Sequence, residues 1–300
     1  MKRKYAITWM LTAALFVAGL TGCSAGGQET ANQGAAADTQ EASGSAAAGE
    51  SASEASGGTE SSNDLLSQIQ EKGEVTIAME GTWAPWTYHD EDDNLVGFDV
   101  EIGQRIAEKL GVEANFVEGE WDGLLAGLDA GRYDMMINGV DITEERANAY
   151  DFSEPYAYNR TAVIVRGDDD SIQTMEDLSG KNTANTISST YAELAESYGA
   201  TVTGVDDLSQ TFELLLSGRI DATLNAEVTY YDYMEAHPDA NLKIACLADD
   251  ATHVAIPFRK GEDTASLREA VNQAIEELRD SGELSELSEK YFGTDITQAE

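Results

Sequence analysis

Leu128-Asp129-Ala130-Gly131-Arg132-Tyr133-Asp134 and Leu215-Leu216-Ser217-Gly218-Arg219-Ile220-Asp221 stand 87 residues apart and read alike. Each closes a helical pattern on a glycine and enters a strand through Gly-Arg-x-Asp. Alone the echo could be a common helix-to-strand turn. Its surroundings make it more. Ahead of the first copy, Glu74–Met79 alternates as a strand, Leu95-Val96-Gly97-Phe98 leads to Asp99 as an N-cap, and Ile102, Ile106 and Leu110 mark a helix face stopped by Gly111. Strand 114–117, helix 121–130 and strand 134–138 complete the set.

A second set brackets the second copy. Residues 182–187 read as a strand, and Thr190-Tyr191-Ala192-Glu193 has capping-box spacing for a helix ending at Gly199. Strand 201–205, helix 208–217 and strand 222–224 follow, then strands 242–247 and 253–258 and closing helices 264–279 and onward to Tyr291. Strands alternating with helices predict mostly parallel sheets flanked by helices. Two like sets predict two lobes, joined by strand crossings near 162–165 and 253–258. Ligands of open α/β sheets sit beyond the strands' carboxyl ends, so a cleft between lobes is the expected site.

Residues 138–158, Asn-Gly-Val-Asp-Ile-Thr-Glu-Glu-Arg-Ala-Asn-Ala-Tyr-Asp-Phe-Ser-Glu-Pro-Tyr-Ala-Tyr, occupy such a carboxyl end, behind the apolar Met135-Met136-Ile137. An acid, a threonine and an arginine there read either as a solvated loop or as a ligand clamp.

The 300-residue chain is not all fold. Lys2-Arg3-Lys4, an uncharged run from Tyr5 to Leu20 and Leu20-Thr21-Gly22-Cys23 make a secretory leader, residues 1–22. Cys23 either accepts a lipid there or is incidental. Residues 24–63 hold no aromatic, Ile, Leu or Val residue, so 23–63 is expected to be a disordered tether spanning ~35 Å. The fold is then expected as lobe one, 64–165 plus 254–300, and lobe two, 166–253. Cys246, in a strand-like run, reads as a small apolar residue, and a lipidated Cys23 leaves it without a disulfide partner. Net charge is −38, and removing a leader with three positive charges leaves −41, which argues against nucleic acid and anionic membrane surfaces as direct partners. His89, His237 and His253 are scattered, so no metal or other cofactor is expected.

The stretches Trp83-Ala84-Pro85-Trp86, Gly97-Phe98-Asp99-Val100, Ile142-Thr143-x-x-Arg146, Asp151-Phe152-Ser153-x-Pro155-Tyr156, Gly218-Arg219-Ile220-Asp221-Ala222 and Lys290-Tyr291-Phe292-Gly293 together carry a resemblance. From about Glu74 to Ile296 the chain resembles the bacterial extracellular solute-binding proteins, family 3, the polar amino-acid receptors of ABC importers. Residues 221–225 and 292–296 look most like the cystine and cysteine branch. The resemblance implies an α/β, type II periplasmic-binding-protein-like fold with a two-strand hinge. It also implies a monomeric, non-enzymatic receptor that hands an amino acid to a membrane permease. With Cys23 matching a lipobox, it implies cleavage before that residue, diacylglyceryl and palmitate chains in the bilayer, and a place on the outer face of the cell membrane. The alternatives on the same fold are a secreted dehydratase using Glu80, Glu118 or Glu120, and a tethered sensor.

Roles follow from the resemblance residue by residue. Arg146 would grip the ligand carboxylate through its bidentate fork, or else pair with Glu144 or Glu145 at the surface. Ser189 and Thr190, at a helix N-terminus, would take the same carboxylate from lobe two. Trp83 and Trp121 would cover the ligand side chain, with Glu80 and Asn225 near it. Gly139 would offer its carbonyl to the ammonium, and Thr143 would support the turn. The acid that commonly holds the ammonium falls on Ala226. A buried ammonium needs an anion. Asp141, five residues before Arg146, is the expected replacement, with Glu227 as the competitor by a register slip.

Overall fold

The computed structural model describes residues 64–299. The leader, Cys23 and the tether expected from the sequence lie outside them.

Lobe one begins with α1 (Leu65–Lys72), β1 (Glu74–Met79), β2 (Thr82–Trp83), β3 (Thr87–His89), β4 (Leu95–Val96), α2 (Phe98–Leu110), β5 (Glu113–Glu118), α3 (Trp121–Asp129) and β6 (Met135–Met136). Then come α4 (Glu144–Ala149), β7 (Tyr150–Phe152) and β8 (Ala157–Asn159). Strands β5, β1 and β6 form a parallel sheet with β1 central. The period of two in β1 explains the layering. Val75, Ile77 and Met79 join Phe98, Ile102 and Ile106 of α2 on one face; Ala78 joins Trp121, Leu124 and Leu128 of α3 on the other. Truncating the fully buried Leu124 to alanine would cost about 2–5 kcal/mol.

Lobe two comprises β9 (Thr161–Arg166), β10 (Asn182–Thr186), α5 (Thr190–Ser197), β11 (Thr201–Val205), α6 (Leu208–Leu216), β12 (Ala222–Ala226), α7 (Glu227–Ala236) and β13 (Leu242–Leu247). Its sheet runs β11-β10-β12-β9-β13, with the first three strands parallel and β9 antiparallel to both neighbours. It is therefore mixed where mostly parallel pairing was expected. The chain returns through β14 (Thr252–Val254) and β15 (Pro257–Arg259) to α8 (Ala265–Ser281) and α9 (Glu283–Phe292). On α8, Leu267, Val271, Ala274, Ile275 and Leu278 form the buried stripe against lobe one.

The sequence echo is structural. Gly131 and Gly218 both take positive φ, +67° and +70°, ending their helices. Asp134 then accepts the Thr76 amide at 2.7 Å and returns its own amide to the Thr76 carbonyl. Asp221 does the same with Asn182, accepting at 2.8 Å. In both lobes one aspartate pins the start of a strand to the start of its neighbour.

The hinge departs from expectation. The sequence predicts a crossing strand at 162–165 and a lobe boundary at 165. Sheet pairing puts the whole of β9 in lobe two. The crossing pair is β8 with β14, antiparallel from Ala157↔Val254 to Asn159↔Thr252. The physical reason is burial: Ala162 and Ile164 pack on one face of the lobe-two sheet, Val163 and Val165 on the other. Val254 also bridges Asp141, and Ile142 donates its amide to the His253 carbonyl. The segment that carries Asp141 and Ile142 is thus stitched to the return strand.

Candidate functional site

Between the lobes lies a cavity of about 50 Å³. That is several times the roughly 10–15 Å³ one water requires. Lobe one contributes Glu80, Thr82, Trp83, Trp121, Gly139, Asp141 and Arg146. Lobe two contributes Asn185, Thr186, Ser189, Thr190, Tyr191, Leu208, Thr211 and Asn225. Nine of the ten residues proposed from the sequence as ligand contacts meet here; Thr143 does not line the cavity.

Arg146 sits in the first turn of α4, which Thr143 caps by accepting the Arg146 amide at 3.1 Å. Thr143 therefore supports the turn. The guanidinium is buried, 7% exposed, which removes the reading of a surface arginine paired with Glu144 or Glu145. It lies 5.2 Å from the Trp121 ring centroid, donating to the Asp141 carbonyl and, across the cleft, to the Ser188 carbonyl. Burial pulls its pKa down and nearby Asp141 opposes this. A buried guanidinium resting on an indole face and bonded only to carbonyls retains its charge for an anion.

Asp141 is 3% exposed. Its Oδ2 accepts the Thr190 hydroxyl across the cleft at 2.6 Å, while its Oδ1 is buried with no partner among the described residues. Burial pushes the carboxyl pKa up, against the Thr190 hydroxyl and Arg146, which hold it down; the Thr252 hydroxyl donates to the Asn159 carbonyl. An unpartnered buried carboxylate oxygen beside a cavity calls for a cation.

The N-cap of α5 is Ser189, not Thr190: its Oγ accepts the Ala192 amide at 3.2 Å. Register explains the change, since the cap role moves one residue back and frees Thr190 for Asp141. Ser188 takes positive φ, +60°, and gives its hydroxyl to Asp122 at 2.6 Å. Trp83 stacks on Trp86 with centroids 5.3 Å apart, and its Nε1 donates to Asn225 Oδ1 at 3.2 Å. These bonds join lobe to lobe, so the cleft is closed.

One further expectation is corrected. Asp99 was read as the cap of α2; Gly97 holds that position, and Asp99 is fully buried. Its carboxylate takes the Tyr156 hydroxyl at 2.8 Å and the Gly139 amide at 2.7 Å, and burial pushes its pKa up to about 7. It thereby holds the Gly139 turn, whose φ of +54° suits glycine. A Cβ there would stand 2.6 Å from Trp83 Cζ3. Glu227, the competitor to Asp141, opens α7 and accepts the Tyr231 hydroxyl at 3.2 Å, away from the cavity. Ala226, buried at the end of β12, carries no charge.

Glu80 exchanges bonds with Asn138, both at 2.7 Å, and burial drives its carboxyl up to about 7. Of the three acids considered for a dehydratase it alone lines the cavity; Glu118 pairs with His89, and Glu120 precedes α3. Among the described residues no acid, histidine and cysteine group suits a metal, and no helix is long and apolar enough to cross a membrane. Cys246 is a free, half-buried thiol 3.9 Å from Met175 Sδ, and burial raises its pKa.

Residues 75–294 match the bacterial extracellular solute-binding proteins, family 3. The chain belongs to that family. It is 36% identical over 78% of its length, and 87% of the relative's, to the L-cystine-binding protein TcyA of Bacillus subtilis. Among solved structures, an ancestral arginine-binding protein bound to arginine overlays with a TM-score of 0.69 at 35% identity, covering 74% of this chain and 99% of that one. The L-cystine solute receptor of Neisseria gonorrhoeae, in an unliganded open conformation, is 39% identical with a TM-score of 0.55, covering 79% and 100%. The type II architecture is shared. The better overlay on the ligand-bound receptor, despite lower identity, agrees with the cross-lobe bonds seen here.

Proposed function

We propose that this family 3 solute-binding protein captures an amino acid outside the cell and presents it, lobes closed, to an ABC importer. The observation that carries the reading is one buried guanidinium and one buried carboxylate facing the same cavity: Arg146 with charge to spare and Asp141 with an unpartnered oxygen. A zwitterion supplies the complement of both. In this reading the ligand carboxylate takes the Arg146 fork and the N-terminus of α5, so it touches both lobes and favours closure. The ammonium takes Asp141 Oδ1, in place of the acid missing at Ala226, with the Gly139 carbonyl beside it. Trp83, Trp121, Glu80 and Asn225 surround the side chain.

L-Cystine is the first ligand to try, because two cystine receptors are among the similar proteins. Cleavage before Cys23 and lipid attachment there would keep the receptor beside its permease, with the tether giving it reach. A charge-assisted clamp at each end, each bond contributing about 1.5–3 kcal/mol, is enough for micromolar binding near −8 kcal/mol after ordering costs.

A thermal-shift panel of the common amino acids plus L-cystine tests this. One or a few should raise the melting temperature in a concentration-dependent way following RT ln(1 + [L]/Kd). A flat panel overturns the reading, and consumption of a bound amino acid into product would move the protein to the dehydratases.

A further inference from the structure

We propose that Asn185 is a specificity-determining residue that reads a hydrogen-bond donor on the ligand's side chain. The proposal rests on the amino-acid reading above. Asn185 lies on β10, 2% exposed, and lines the cleft cavity. Its Nδ2 donates to the Leu224 carbonyl at 2.7 Å. A carbonyl only accepts, so the amide cannot be flipped: nitrogen faces β12, and oxygen is the free end. That oxygen, Oδ1, is buried with no partner among the described residues. A buried, unpartnered acceptor is destabilising, and a ligand N–H or O–H would relieve it.

The residue cannot belong to the zwitterion clamp. Arg146, Asp141 and Thr190 already account for the carboxylate and ammonium ends, and Asp141 holds the oxygen suited to a cation. What surrounds Asn185 is the rest of the cavity, with Leu208 and Thr211 on α6. Thr211 spends its hydroxyl proton on the Leu208 carbonyl at 2.7 Å and so also faces a ligand as an acceptor. These lobe-two acceptors, Asn185 and Thr211, favour a side chain ending in N–H donors, an ammonium, guanidinium or amide, over an apolar one of equal length. The distal ammonium of L-cystine belongs to that class.

Calorimetric titration of the unaltered protein and Asn185→Leu, using L-cystine, L-arginine, L-glutamine and L-norleucine, tests the assignment. Leucine keeps the volume and removes the acceptor. The unaltered protein should bind its best donor-bearing ligand at least 100-fold more tightly than norleucine. The variant should lose at least 10-fold on that ligand while norleucine binding holds or tightens. Equal loss on both ligands, or preference of the unaltered protein for norleucine, overturns the proposal while leaving the receptor reading intact. If no amino acid binds the unaltered protein, both fall together. Should the leucine variant fail to fold, Asn185→Val answers the same question with a smaller side chain.

Discussion

Replacing Asp141 by asparagine removes one charge and almost no volume. In the parent, Oδ2 holds Thr190 at 2.6 Å and Oδ1 is the site assigned to the ligand ammonium. Asparagine can keep the Thr190 bond through its carbonyl, which turns an N–H toward the ammonium. Breaking one partner of a buried charge pair costs about 3–5 kcal/mol. Part of that loss is offset by the Gly139 carbonyl, so a loss of about 3 kcal/mol is expected, a factor of ~150 in Kd. Stability should move differently. Burial raises the Asp141 pKa, so its ionised form is unfavourable in the folded protein without ligand, and the variant should melt no lower than the parent at pH 7. Calorimetric titration with the best ligand from the panel, beside Glu227→Gln as a control outside the cavity, reads both effects. Affinity unchanged in Asp141→Asn and abolished in Glu227→Gln would refute the reasoning.

Gly139→Ala places a Cβ 2.6 Å from Trp83 on a backbone of positive φ; a loss of about 1–3 kcal/mol, several degrees in melting temperature, is expected with weaker binding as Trp83 moves. Glu80 and Asp99 rise from ordinary values of 4.5 and 3.8 to about 7 on folding. The stability they contribute is full below the unfolded values and is lost as pH climbs to about 7, so the melting temperature should fall between about pH 4 and about 7, and Glu80→Gln should flatten that fall; an unchanged slope in the variant would exclude Glu80 as a source. Cys23→Ser should shift the protein from the membrane fraction to the medium, read by immunoblot, and retention in the membrane would remove the lipid anchor from the account.

The elements were legible because both sheets are covered on two faces and each lobe repeats the same Gly-Arg-x-Asp entry into a strand. The hinge was not, because the apolar run 161–165 has the composition of a crossing strand and only its partners show it inside a sheet. The resemblance carried by Ile142-Thr143-x-x-Arg146, with the charge missing at Ala226, was enough to single out the residues that line the cavity and are proposed to hold the ligand. Which hydroxyl of Ser188-Ser189-Thr190 caps α5 depends on register, and consecutive hydroxyls carry no register signal. Asp99 reads as a helix cap in sequence because its partners, Tyr156 and Gly139, are 57 and 40 residues distant. Asn185 gave no signal at all: in sequence it is one polar residue in a strand, and its role emerges only from which of its two polar atoms is satisfied.

The measurement closest to the centre is the affinity of Arg146→Ala for the amino acid that most stabilises the parent. The account predicts a loss of at least 100-fold, with the melting temperature of the ligand-free variant within a few degrees of the parent's. Equal affinity in the two proteins would contradict it, since no other buried cation lines the described cavity to take the carboxylate.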